Sequence, residues 1–175
     1  VEGAPNSLYV GDQQVINGNN TTFWTTDKST GGLTEYEGND DNWNVKYDPS
    51  TATLTLKGAK ISGSYHQYNN PYTAGIYAQC SNGQSVTLTI KLIGENTITG
   101  YYGIFLNAEI SASSYGTNAT LTITGENNGN LEVSGSNHGI FVKSGTGNAS
   151  LNIEKATVTS STDGEYAAGV YVMSG

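Results

Sequence analysis

Apolar and polar residues alternate along this chain in short bursts, and the bursts recur. Leu54-Thr55-Leu56, Leu88-Thr89-Ile90, Leu121-Thr122-Ile123 and Leu151-Asn152-Ile153 are four apolar-polar-apolar triplets. Two of them share a lead-in, Asn118-Ala119-Thr120 and Asn148-Ala149-Ser150. Alternation of period two over so few residues reads as a short strand with one buried face. A second element follows each triplet: Lys60-Ile61-Ser62, Thr97-Ile98-Thr99, Glu132-Val133-Ser134 and Thr157-Val158-Thr159. The third is Gly75-Ile76-Tyr77-Ala78, Gly103-Ile104-Phe105-Leu106, Gly139-Ile140-Phe141-Val142 and Gly169-Val170-Tyr171-Val172, a glycine, a β-branched residue, an aromatic and an apolar residue, recurring every 28 to 36 residues. Gly, Asn and Ser turns separate the elements.

Three short strands per unit of this length predict an all-β fold, a right-handed parallel β-helix of about four three-strand coils, in which each strand pairs with its equivalent one coil above. Such a coil cannot bury its apolar side alone, so the stack must be held by ladder hydrogen bonds and packing between coils. A leucine-rich repeat has a shorter unit and an Asn at a fixed offset; a β-sandwich is the remaining rival architecture.

Residues 1–45 lie outside the repeat and read as an N-terminal β cap, with 46–175 as the coils. Within the cap, Leu8-Tyr9-Val10 and Gln13-Gln14-Val15-Ile16 read as strands. Trp43 to Tyr47 and Thr51 to Leu56 read as a hairpin around Asp48-Pro49-Ser50. The chain stops straight after a third-strand element, which predicts a fragment of a longer protein or end-to-end self-association through an uncapped C-terminal coil.

Composition narrows the partners. A formal net charge of -8, with all seven basic residues lysine, argues against nucleic acid, which needs a basic face. Cys80 is the single cysteine, so neither an intrachain disulfide nor a cysteine-based zinc site can form. No apolar run approaches the roughly 18 residues of a membrane helix. The sequons at Asn20, Asn118 and Asn148 are what chance supplies in a chain this rich in Asn and Thr.

The repeated elements, with Leu8-Tyr9-Val10-Gly11 and with Tyr47-Asp48-Pro49 leading into Leu54-Thr55-Leu56, resemble β-helical repeat modules of surface or secreted proteins of gut and other anaerobic bacteria. The resemblance spans about Leu8 to Val172 and describes a coil rather than an activity. It implies an extracellular or cell-surface location in a bacterium and a likeness to carbohydrate-binding parallel β-helix domains, some of which use calcium. Pectin lyases and polygalacturonases share the architecture, and fold alone does not choose among these.

Residue chemistry separates three functional classes. Pectate lyases of this architecture commonly use an arginine base, and this chain has no arginine; Lys91 and Lys143 are the lysine candidates inside the coils. Hydrolysis needs paired carboxylates, whereas Asp40-Asp41 lies in the cap and, past the Asp48 turn, Asp163 is the lone aspartate of the coils. His138 looks like part of a catalytic loop, but Ala74, Tyr102 and Ala168 hold its place in the other copies. The fold therefore does not require it, and alternation from Ile140 puts it inward or at the corner, as a turn histidine. The expectation is a non-catalytic extracellular binding or adhesion module for a polysaccharide or a host or cell-surface glycan. The alternatives are a structural spacer of a surface protein and a polysaccharide lyase or glycoside hydrolase.

Tyr77, Phe105, Phe141 and Tyr171 should point outward as a ladder, stacked on one another or under a loop such as Tyr65 to Tyr72. The flanking Tyr65, Tyr68, Tyr72, Tyr101 and Tyr102 are better sugar contacts, each offering a ring and a hydroxyl. No cofactor is required. Calcium is the one metal the sequence brings up: Glu35, Glu37, Asp40 and Asp41 cluster with Asn39 and Asn42, and Gly94-Glu95-Asn96 and Gly125-Glu126-Asn127 would place two carboxylates at one turn. Solvated acidic turns account for both clusters equally well.

Overall fold

The computed structural model describes residues 1–63, 65–66 (by their backbone), 73–81, 83–109 and 117–175. Among them there is no helix. The cap contributes five strands, β1 (Ser7–Val10), β2 (Gln13–Gln14), β3 (Thr22–Thr26), β4 (Leu33–Glu35) and β5 (Val45–Asp48). The coils follow as β6 (Thr53–Lys57), β7 (Lys60–Ser62), β8 (Tyr65–His66), β9 (Thr73–Gln79), β10 (Val86–Gly100), β11 (Tyr102–Asn107), β12 (Ala119–Gly135), β13 (Ile140–Lys143), β14 (Ala149–Glu154), β15 (Thr157–Thr162) and β16 (Val170–Met173). Strands β10 and β12 each run through the first two elements of their coil without a break.

Parallel pairing between equivalent strands makes a β-solenoid. The first-strand face stacks β6, β10, β12 and β14, and the third-strand face β9, β11, β13 and β16, all parallel. From β6 to β14 the chain makes about three turns, and β15 and β16 complete the last rung. Leu88, Leu121 and Leu151 are in register, as are Ile104, Ile140 and Val170. Two stacks are offset from the sequence repeat by two residues, a slip that preserves which side faces inward. Leu54 pairs with Ile90 instead of Leu88, and in the last rung Val158 pairs with Leu131 while Ser160 takes the place above Val133.

The cap joins the coils in the opposite sense. β1 lies antiparallel to β9, with Val10 opposite Ile76, and β5 lies antiparallel to β6, with Tyr47 opposite Leu54. The turn between β5 and β6 is held by Asp48, whose carboxylate accepts from the Ser50 amide at 2.9 Å and the Ser50 hydroxyl at 2.6 Å. Those bonds hold the Asp48 carboxyl below its ordinary pKa. One apolar core runs from Leu8, Trp24 and Val45 in the cap to Ile140 and Val142 in the third rung. In the last rung the corresponding side chains are uncovered, with Ile153, Val170 and Val172 each more than two-fifths exposed.

Glycine opens the first three third-strand elements because the backbone of the next coil passes too close for a side chain. A Cβ on Gly75 would sit 2.7 Å from the Gly103 carbonyl oxygen, and one on Gly103 would meet Val133 and the Gly139 carbonyl.

Candidate ligand groove

The aromatic column forms as the alternation predicts, but it is packed. Tyr77, Phe105, Phe141 and Tyr171 are in register. Phe105 and Phe141 stack at 4.6 Å between ring centres, and Tyr77 and Tyr171 meet them edge-on at 5.4 and 5.3 Å. Tyr102 closes against the side of the column, 4.9 Å from Phe105 and 5.6 Å from Phe141. Phe105 and Phe141 are thereby left under one-tenth exposed and offer no free ring face. Tyr102, expected as a sugar contact, belongs to this cluster.

His138 joins the same cluster from the corner, on the outward side rather than toward the core. Its ring stacks on Tyr171 at 4.9 Å and lies over Tyr102 at 6.0 Å, and its Nδ1 accepts the Ala168 amide at 3.0 Å. Burial holds its pKa below the ordinary histidine value.

Tyr101, next to Tyr102 in the chain, meets that ring edge-on at 4.9 Å and also stands at the corner that leads out of the second strand. Here the second-strand face meets the loops leading into the third strands, and a groove of about 720 Å³ opens. Its wall carries one hydroxyl per rung, Thr99, Ser134 and Ser161, which are register partners through β10, β12 and β15. Ser62, paired with Thr99, carries the column down to the first rung. Thr73, Tyr101, Ser136, Thr162 and Asp163 complete the polar rim, and a shallower hollow of about 260 Å³ shares Thr99, Ser134 and Ser161. The Tyr101 hydroxyl accepts from the Asn137 side-chain amide at 3.0 Å, which ties its ring to the next rung.

Hydroxyls spaced by the strand repeat of about 4.8 Å can donate and accept along a chain-like polyol, and a tyrosine at the rim adds a flat apolar surface. Among the described residues that line the groove, Asp163 is the one with a charge. Of the five tyrosines expected at a sugar site, the structure brings Tyr101 there. Tyr65 lies in β8, described by its backbone alone, and Tyr68 and Tyr72 fall outside the described residues.

The acidic cluster of the cap is engaged within the chain. Asp40 accepts from the Tyr36 hydroxyl, from the Asn42 amide at 3.2 Å and from its side chain at 2.8 Å, and the Lys57 ammonium bonds the Asp41 carbonyl. Glu35 ends β4 and Glu37 follows it, both on the surface. Glu95 and Glu126 do not share a turn position. Asn127, Asn128 and Gly129 of β12 bulge opposite the single residue Gly94 of β10, so Glu95 pairs with Asn130 and Glu126 with Ile93. Glu126 instead holds Lys91 at 2.9 Å, and Lys143 faces Glu109 at 3.6 Å, so both lysines once considered as bases are ion-paired. Among the described residues no three His, Cys, Asp or Glu side chains gather as a metal site.

Comparison with protein-family models, curated proteins and solved structures finds no match. The groove's chemistry must therefore be read from its own residues.

The hydroxyl column escaped the sequence reading because its members look like ordinary solvated strand positions. Their signal lay in the corners: Gly100 to Tyr102, Gly135 to Gly139 and Thr162 to Gly169 lengthen rung by rung, and stacked loops of unequal length leave a recess.

Proposed function

We propose that the protein is a non-catalytic extracellular module that binds a polysaccharide along the corner groove. The observation that carries this reading is the in-register column Thr99, Ser134 and Ser161 beside Tyr101, a wall of repeating hydroxyls with an aromatic edge. An extended glycan also repeats along its length, so a ladder of equivalent groups can serve successive sugar units. Binding without turnover is supported by Asp163 being the single carboxylate among the described residues that line the groove, with Glu132 in the adjoining hollow, because general acid and base roles require two matched groups on the same bond. No helix among the described residues is long and apolar enough to cross a membrane.

The test is retention on insoluble polysaccharides, read with and without calcium. Ser134→Tyr places a ring in the groove from an outward strand position and should abolish retention. Its melting temperature should stay within about 2 °C of the parent. Tyr101→Ala should weaken retention. Unchanged retention in Ser134→Tyr rejects the groove, and release of reducing or unsaturated sugar ends by the unaltered protein overturns the non-catalytic reading. A protein retained on no glycan of a broad panel is left with the spacer role.

A further inference from the structure

Tyr166 is the most exposed large hydrophobic side chain of the described residues, at 97%, and one of five non-glycine residues among them with positive φ, at 59°. An aromatic ring in open solvent, on a backbone conformation that a bulky residue adopts at a cost, needs a reason. The loop around it is anchored at both ends. The Thr162 hydroxyl donates to the Asn137 carbonyl at 2.6 Å and accepts the Gly164 amide at 3.1 Å, while Gly164 packs against the Ser136 carbonyl with no room for a Cβ. On the far side the Ala168 amide is held by His138 and its carbonyl accepts from Gly139 at 3.1 Å. Glu165 and Tyr166 form the tip between these anchors, and the tip belongs to the loop whose first residues, Thr162 and Asp163, line the groove.

We propose that Tyr166 is the stacking platform of the glycan site, and that the site takes a pyranose polymer without anionic groups. This rests on the groove reading. A loop held at both ends confines where its one ring can go, so covering that ring with a sugar face costs less order than it would on an unanchored segment. Glu165 directly precedes Tyr166 and Asp163 lines the groove, and among the described residues no lysine lines it. Their carboxylates can accept from sugar hydroxyls, but they repel a uronate lying in the same place.

The experiment measures retention on an insoluble neutral β-glucan, an insoluble mannan and immobilised polygalacturonate at low ionic strength. It uses the whole chain and its Tyr166→Ala, Tyr166→Trp and Ser134→Tyr variants. The expected result is retention of the unaltered protein on a neutral polymer and not on polygalacturonate. Tyr166→Ala should retain at least about tenfold less, Tyr166→Trp should stay near the parent, and no Tyr166 variant should shift the melting temperature, since the side chain touches little. Retention of Tyr166→Ala within about twofold of the parent, while Ser134→Tyr is lost, overturns the platform and leaves the groove standing. Equal retention on polygalacturonate overturns the charge selectivity. No retention of the unaltered protein on any of the three overturns this inference, and loss of the groove reading itself would further require that a wider glycan panel fail.

Discussion

Ala168 donates its backbone amide to Nδ1 of His138 across one rung, at 3.0 Å, and the imidazole that accepts it is stacked on Tyr171. An amide can engage that nitrogen only while it is unprotonated, and burial lowers the His138 pKa in the same direction. A histidine with a depressed folded pKa stabilises fully above its unfolded value of about 6.5, and the contribution is lost as pH falls through the folded value. Urea midpoints should therefore fall between pH 7.5 and 5. His138→Phe, which keeps a ring but strands the amide, should cost about 1 to 2 kcal/mol at pH 7.5 and flatten that dependence. The carboxyls of Asp27 and Asp48 are also lowered, but they lie in a separate, more acidic window, below about pH 4. A slope unchanged in His138→Phe would remove His138 as its source.

Phe105 and Phe141 lie parallel, 5° apart, at the centre of the packed column. Phe141→Ala should cost about 3 kcal/mol by denaturant melting, because the ring is nearly buried and Tyr102, His138 and Tyr171 all rest on it. A double-mutant cycle with Phe105→Ala should return a coupling of about 1 kcal/mol. No coupling would mean that the rings share area without supporting each other.

How much of this was legible follows from the distance over which each feature is encoded. Leu121-Thr122-Ile123 and Leu151-Asn152-Ile153 announce their strands locally, and a period-two pattern repeated at coil spacing leads straight to stacked parallel strands. The register of Leu54 was misread because Leu-Thr-Leu fits one step along the strand as well as the next; the pairing of β5 with β6 and the turn at Asp48 set it instead. Tyr101 and Tyr102 are adjacent, alike in type and in edge contact, yet Tyr101 lines the groove while Tyr102 packs on the aromatic column, a division set by the corner between two rungs and not by residue type. Tyr166 carries no repeat signal at all, having no counterpart in the other coils.

Gly103 should be intolerant of any side chain. A Cβ there would collide with Val133 and the Gly139 carbonyl, both fixed by the ladder, so Gly103→Ala should lose about 2 to 3 kcal/mol of stability. Gly58 makes the comparison: it has φ of 58° and nothing within 4 Å of a built Cβ, so Gly58→Ala should cost only the left-handed conformation, about 1 kcal/mol. Equal losses in the two variants would show that the closeness of adjacent coils is not what places glycine before the third strand.

Tyr47 sits where the cap meets the first coil, 1% exposed, and its hydroxyl is buried without a hydrogen-bond partner among the described residues. Removal from water, with the Asp48 carboxylate close by, pushes its pKa up to about 12. A buried hydroxyl with no partner forfeits its hydration and gains nothing in return, whereas the ring packs into the core beside Leu54. Tyr47→Phe should therefore stabilise the protein by about 1 kcal/mol, and in a spectrophotometric titration the native protein should lose one late-ionising tyrosine on this substitution. Destabilisation by Tyr47→Phe would mean that the hydroxyl is bonded after all, with water as its partner, and that the junction of cap and coil is wetter than its packing shows.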